Sequence, residues 1–260
     1  MRPLPRATRE AGVVEGYSQA PLDDVSLWNG VGKFCHTQVC GDPQFASYFF
    51  AVMDRYFPAM RNHSTLASEI EISDLVFSSE HRDKGAGFPY QELGCPTKGM
   101  AYTMFGFSDC LRQFDESVQI IGATVKDELR PEGKDARLFR PANLAAYVVG
   151  SMLFYHQNEY LMSKLLATPI FVRYMTPGTA ISWLYQRIAE FSDKRFHADG
   201  SSWDANYPLW IAQLVMQYRQ RFLPDSAQER TVRYYSMMYN GYTMVGGWLF
   251  NLVGQPSGQV

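Results

Sequence analysis

The chain has 260 residues, 46% hydrophobic and 19% charged, with 16 Tyr, 17 Phe and 5 Trp, a mixture that offsets the entropy of ordering a backbone and excludes a disordered tail. Its formal net charge is −2, so it is neither a basic arm nor a bulk polyanion binder, and any nucleic-acid surface must be a local channel. The opening Met1-Arg2-Pro3-Leu4-Pro5-Arg6 has no apolar run behind it, which argues against a secretory signal and for a cytosolic protein.

Cys35 and Cys40 flank His36, but without a second matching pair the spacing is a poor zinc signature, and reduced core thiols are the plainer reading. Asp42 supplies a cap and Pro43 a first turn for a helix whose Phe45, Tyr48, Phe49, Val52, Met53 and Tyr56 share one face, expected to point inward. Between Ser78 and Gly99 charges, glycines and prolines break the pattern, predicting a loop that carries Gly85-Ala86-Gly87-Phe88-Pro89-Tyr90.

A short strand, Ile120 to Val125, runs into Lys126–Arg140, where five cations stand among four acids. Taken alone this is a salt-bridged surface hairpin; folded back on itself, it could converge Lys126, Arg130, Lys134 and Arg137 on a triphosphate. A helix follows from Leu144 to Leu165 with a stripe of core spacing. Ser151, His156, Gln157, Asn158 and Glu159 interrupt its apolar run, so it reads as a buried soluble helix and not as a membrane span.

Near Arg195 a strand is expected to end in Asp199-Gly200-Ser201-Ser202-Trp203-Asp204, before Pro208 opens a helix with Ile211, Leu214, Val215, Tyr218 and Phe222 inward. The box Ser226-x-x-Glu229 predicts another helix start, and Tyr242–Val253 a hairpin around Gly246-Gly247. A carboxylate at a strand end is a hard oxygen ligand for Mg²⁺, which suits Asp199, and Asp204 could accept a bond from a ribose hydroxyl. Standing alone, the same pair is an ordinary turn device or a carboxylate-pair hydrolase. Ser257 has no evident general base and makes a poor nucleophile.

The ordered set changes the reading. Lys126-Asp127-Glu128-Leu129-Arg130, the Asp199–Asp204 segment and Gly254-Gln255-Pro256-Ser257-Gly258 resemble motifs F, A and B of RNA-dependent RNA polymerases of positive-strand RNA viruses. The likeness is to the picorna-like supergroup, with its picorna-, calici-, poty- and astro-like branches. Gly85 to Tyr90 resembles that family's motif G at the template entrance, whereas the first 77 residues match no motif.

The resemblance implies an α+β right-hand polymerase: fingers at 1–190, palm at 191–222, a fingers insertion returning to the palm at 223–252, the start of motif B at 253–260, and no thumb. It implies that Asp199 and Asp204 are catalytic, with Asp199 holding Mg²⁺, or Mn²⁺ in its place. It assigns nucleoside triphosphate binding to Lys126, Arg130, Lys134, Arg137, Asp204 and Ser257, and template contact to Gly87, Phe88, Pro89, Tyr90, Ser257 and Gly258. The implied partners are an RNA template and primer, nucleoside triphosphates and other viral replication proteins, at replication complexes in the host cytoplasm.

The loop between Arg130 and Arg137 is shorter than in typical picornavirus members, and no Gly-Asp-Asp occurs in the sequence. The expectation is therefore a fragment truncated before motif C that extends no primer alone. The competing expectations are a non-enzymatic RNA-binding module built on the Lys126–Arg140 cations and a chelator-indifferent hydrolase using Asp199 and Asp204.

Overall fold

The computed structural model describes residues 17–35, 41–126, 129–167 and 203–254. Strand β1 (Tyr17–Gln19) leads to helix α1 (Asp24–Gly32), where the Asp23 carboxylate accepts from the Ser26 N–H at 2.8 Å. Helix α2 (Pro43–Tyr56) begins as expected, with Asp42 accepting from the Gln44 N–H and Pro43 in the first turn. Its expected inward face needs correction: Phe45, Tyr48 and Tyr56 are 41%, 68% and 60% exposed. Phe49, Phe50 and Met53 do the packing, against a cluster with Tyr160 and Tyr218 at its centre. A helix at the rim covers only the narrow stripe that its neighbour reaches.

Helix α3 (Glu69–Phe77) carries a formed capping box, with the Glu71 N–H donating to Ser68 Oγ at 3.3 Å and the Ser68 N–H donating to Glu71 Oε2 at 2.8 Å. The expected loop follows, and helix α4 (Lys98–Glu116), capped by Thr97, changes direction at Gly106. The single strand expected over Ile120–Val125 breaks at Ala123 into β2 (Ile120–Gly122) and β3 (Thr124–Val125), which serve different sheets. Strand β4 (Leu129–Pro131) pairs antiparallel with β1, and β5 (Leu138–Phe139) antiparallel with β3.

Helix α5 (Leu144–Ala167) is the axis of the core. Leu144, Val148, Val149, Leu153 and Phe154 are buried, and the helix packs on α3, α4 and, further on, α8. Short α6 (Trp203–Asn206) precedes α7 (Leu209–Gln220), which places Leu214 and Tyr218 inward as expected. A buried staple joins α7 to α5: Arg219 Nε donates to Gln157 Oε1 at 2.9 Å, Gln157 Nε2 donates to Ser64 Oγ at 3.1 Å, and the guanidinium lies 4.1 Å from the Phe154 ring centre. Leaving any of these buried groups unpaired would cost about 1–3 kcal/mol.

The box expected at Ser226 does not form. A 3-10 turn over Asp225–Ala227 runs directly into α8 (Gln228–Asn240), with Ala227 at the N-cap. Gln228 Nε2 instead donates to the Gln220 and Leu223 carbonyls, locking α8 to α7. The expected hairpin is present as β6 (Gly241–Val245) and β7 (Trp248–Val253). Gly246 and Gly247, with φ of 54° and 84°, form a two-residue turn whose twist matches the strands. Strand β6 also runs parallel to β2, giving the sheet order β2-β6-β7 with β7 at an edge. Among the described residues, no helix is long and apolar enough to cross a membrane.

Candidate functional site

The Lys126–Arg140 segment does fold back on itself. Val125 lies opposite Leu138, and the Lys126 N–H donates to the Arg137 carbonyl at 2.8 Å, so these two cations occupy facing positions. Facing residues of a regular ladder hold their Cβ atoms roughly 5 Å apart. Lys126, Lys134 and Arg137 are exposed; Arg130, on β4 opposite Ser18, is half-buried. Helix α1 braces the hairpin from outside. Asn29 Nδ2 donates to Asp135 Oδ2 at 2.9 Å, and Gly30 approaches so closely that a Cβ there would sit 2.8 Å from Leu138 Cβ. At the hairpin's end Arg140 is fully buried, donating to the Leu252 carbonyl at 3.2 Å beside the Phe34 ring. Strand β1 and helix α1, which carry no motif, are thus scaffold for these cations.

Asp199, Ser257 and Gly258 lie outside the described residues. Asp204 belongs to α6, whose backbone is described, while its side chain lies outside. Its neighbour Ala205 is buried in a cluster with Val31, Phe34, Val245 and Leu252, against which Ala123 and Leu138 pack. Helix α6 is therefore held against the base of the cation hairpin, and one small apolar cluster joins the two segments. Among the described residues, no group of three His, Cys, Asp or Glu could hold a metal.

A cavity of about 970 Å³ opens between the Ser78–Gly99 loop, α5, β2 and β3, and the β6–β7 turn. Gly87 and Phe88 line it, with Pro89 half-buried beside them. Gly87 has φ 75°, and a Cβ there would meet the Asn143 Cα at 2.8 Å, so both the backbone and the space require glycine. The loop is stapled to α5 where the Leu144 N–H donates to the Ala86 carbonyl at 2.8 Å. Tyr90 turns the other way. It is fully buried, its hydroxyl donates to Gln113 Oε1, its ring meets Phe105, and burial pushes its phenol far above the usual range. Its side chain anchors the loop in the core and presents nothing to the cavity.

Sequence reasoning missed His81, Lys84, Lys98 and Tyr147, which share the cavity wall. Lys98 Nζ sits 3.7 Å from the centre of the Tyr147 ring, and the His81 ring centre is 5.4 Å from the same ring. Burial, reinforced by Lys84, pulls the Lys98 ammonium down to about 8. Burial also lowers His81, with Lys98 next in effect, Glu80 opposing and Lys84 adding to the fall. The available signal was the placing of charges at both ends of the glycine loop, Lys84 just before Gly85 and Lys98 just after Thr97. The cavity also reaches Thr124 and Phe139 at the base of the cation hairpin.

A family model described as viral RNA-dependent RNA polymerase matches residues 14–260. A solved structure described as "Sicinivirus 3Dpol RNA dependent RNA polymerase" aligns with a TM-score of 0.68 at 17% identity, over 96% of this chain and 57% of that one. The likeness bears out the expected α+β polymerase fold, and the chain spans little more than half the length of that solved protein. A comparison with curated protein sequences finds no match.

Proposed function

This chain belongs to the viral RNA-dependent RNA polymerase family, and from that premise we propose that it supplies the template entrance, the nucleotide-binding cations and the first metal-binding carboxylate of an enzyme that copies RNA from nucleoside triphosphates. On this reading residues 1–190 build fingers, 191–222 open the palm, 223–252 return through the fingers, and 253–260 begin motif B. The observation that carries the proposal is the packing of Ala205, next to Asp204, in the cluster that includes Leu138 of the cation hairpin.

The reaction is an in-line displacement. The primer 3′-hydroxyl oxygen bonds to the α-phosphorus, the bond from that phosphorus to the β-phosphate oxygen breaks, the hydroxyl proton leaves, and pyrophosphate departs. Asp199 would hold Mg²⁺, or Mn²⁺ in its place, and the bound ion supplies charge stabilisation to the attacking and leaving oxygens. Asp204 accepts a hydrogen bond from the incoming ribose hydroxyl, which selects ribonucleotides. Lys126, Arg130, Lys134 and Arg137 neutralise the triphosphate as charge moves to the leaving group. Ser257 touches nucleotide and template, and Gly258, Gly87, Phe88 and Pro89 meet the template, with Tyr90 fixing the loop that presents them.

Two-metal transfer needs carboxylates on both sides of the ions, and the 260 residues contain no Gly-Asp-Asp. These residues alone are therefore expected to extend no primer. The test is primer extension by the complete polymerase. Asp199→Asn should reduce synthesis by about three orders of magnitude or more, and a chelator should stop the wild type. Undiminished synthesis by Asp199→Asn, or a chelator-indifferent glycan hydrolysis, would contradict the reading.

A further inference from the structure

The cation hairpin has a foot as well as a prop. Arg137 is exposed, Leu138 packs on the small apolar cluster, Phe139 lines the cavity and Arg140 turns inward again, in step with the two-residue period of extended chain. Arg140 is fully buried. Its Nη2 donates to the Leu252 carbonyl of β7 at 3.2 Å, and its guanidinium carbon lies 5.0 Å from the centre of the Phe34 ring. Leu252 and Phe34 belong to the cluster that buries Ala205, the residue after Asp204. One guanidinium therefore touches two members of the cluster that joins the hairpin to α6.

We propose that Arg140 is a positioning residue for nucleotide selection, setting the distance between the triphosphate cations of the hairpin and the ribose-reading Asp204. The inference rests on the polymerase reading and adds to it a residue that, closed off from solvent, reaches the reaction only through what it holds.

The choice of side chain carries the argument. Taking a guanidinium out of water is costly, and an apolar side chain of similar length would pack against Phe34 and Leu252 without that cost. What it would lack is direction. Apolar contact is non-directional and tolerates sliding, whereas a charge-assisted bond to one carbonyl selects one position. The Phe34 face fixes the guanidinium plane in turn. The hairpin needs such a fix, since β3 and β5 pair over only two positions, Thr124 with Phe139 and Val125 with Leu138.

The carbonyl that Arg140 holds is well anchored. Strand β7 pairs with β6 from Trp248 to Leu252, and beyond it the Gly254 N–H donates to the Tyr239 carbonyl at 3.0 Å. Arg140 thus ties a short, exposed hairpin to a firmly paired strand on the Asp204 side. Selection is where the tie shows, because the cations hold the triphosphate of a nucleotide and Asp204 its ribose, so a shift between hairpin and α6 mismatches two ends of one molecule. A misplacement of about 1 Å can cost about two orders of magnitude in rate.

The test measures kcat and KM for incorporation of a ribonucleotide and of the matching deoxyribonucleotide by the complete polymerase, per active enzyme. Arg140→Met should raise the ribonucleotide KM about tenfold with kcat within about twofold, and lower the preference for ribonucleotide about tenfold, while the Kd for single-stranded RNA is unchanged. Arg140→Lys keeps the charge and a donor but not the plane, and should recover part of both losses. Phe34→Leu leaves Arg140 in place and removes its platform; it should move both quantities the same way by a smaller factor, and so reads the proposal if Arg140→Met does not fold. Wild-type KM and preference per active enzyme, with only the amount of folded protein reduced, would make Arg140 plain scaffold and overturn the proposal. A raised KM with the preference intact would overturn it too, by breaking the link to Asp204. Asp199→Asn keeps the two readings apart. If that variant is inactive while Arg140→Met shows wild-type constants, this inference falls and the polymerase reading stands; if Asp199→Asn synthesises normally, the polymerase reading falls and takes this inference with it.

Discussion

The two cation groups of this molecule are built in opposite ways. Lys126, Lys134 and Arg137 stand exposed on a hairpin that helix α1 props from outside, whereas Lys98 and His81 lie half-buried against the Tyr147 ring in the wall of a groove. Exposed charges are screened by salt, keep their hydration and meet a small diffusing ligand from any side. Recessed charges lose hydration on folding, so the surrounding core must hold them in place, and they act only on a ligand that enters the groove. On the proposed function, the exposed group suits a triphosphate that comes and goes, while the recessed group acts only on what enters the groove.

The recess depends on the core beneath it, so the largest effect should come from there. Phe154→Ala removes a buried ring that touches Tyr234, Tyr235 and Arg219 and should cost about 3–5 kcal/mol in denaturant unfolding. Next comes Gly87→Ala, which forces a Cβ onto Asn143 at a positive φ and should cost about 2 kcal/mol, measured in the same way. Smaller still is Asn29→Ala, which removes the exposed bond to Asp135. It should lower stability by about 0.5–1 kcal/mol and raise the KM for nucleoside triphosphates while RNA affinity holds, since the prop belongs to the hairpin alone.

The finest signal is a slope in stability against pH. Folding lowers the Lys98 ammonium from its ordinary 10.5 to about 8, so the unfolded chain binds more protons between those values. The penalty for keeping Lys98 charged in the fold is fully present below about pH 8 and relieved as pH rises towards 10.5. Stability should therefore gain a rising component across that window, and Lys98→Met should remove it. A variant whose stability follows the wild type through the window would place the Lys98 ammonium in water and erase the contrast between the two groups.

Local devices were legible in the sequence. Gly246-Gly247 marks the hairpin turn because φ above zero at both central positions is a property of the residues themselves, and the Leu144–Leu165 spacing marks a helix for the same reason. Asp42 and Pro43 start α2 as read, yet which of its faces is covered depends on α7, more than 150 residues later. At Ser226 a sound local signal lost to a tertiary one, the ties from Gln228 back to Gln220 and Leu223. Tyr90 sits in the motif-like run but spends its side chain on Gln113 and Phe105, partners that only the folded chain brings near. The recessed cations escaped notice because His81, Lys84 and Lys98 become one group only after the loop closes. The propping of the hairpin by α1 likewise depends on contacts between residues about a hundred positions apart.

The most direct test of two sites for two ligands is a paired measurement on Arg137→Met and Lys98→Met in the complete polymerase, taking the KM for nucleoside triphosphate and the Kd for single-stranded RNA of each. Arg137→Met is expected to raise the first about tenfold with little change in the second, and Lys98→Met to do the opposite. If both substitutions shift both constants together, the exposed hairpin and the recessed groove serve one ligand, and the division of labour argued from their construction is wrong.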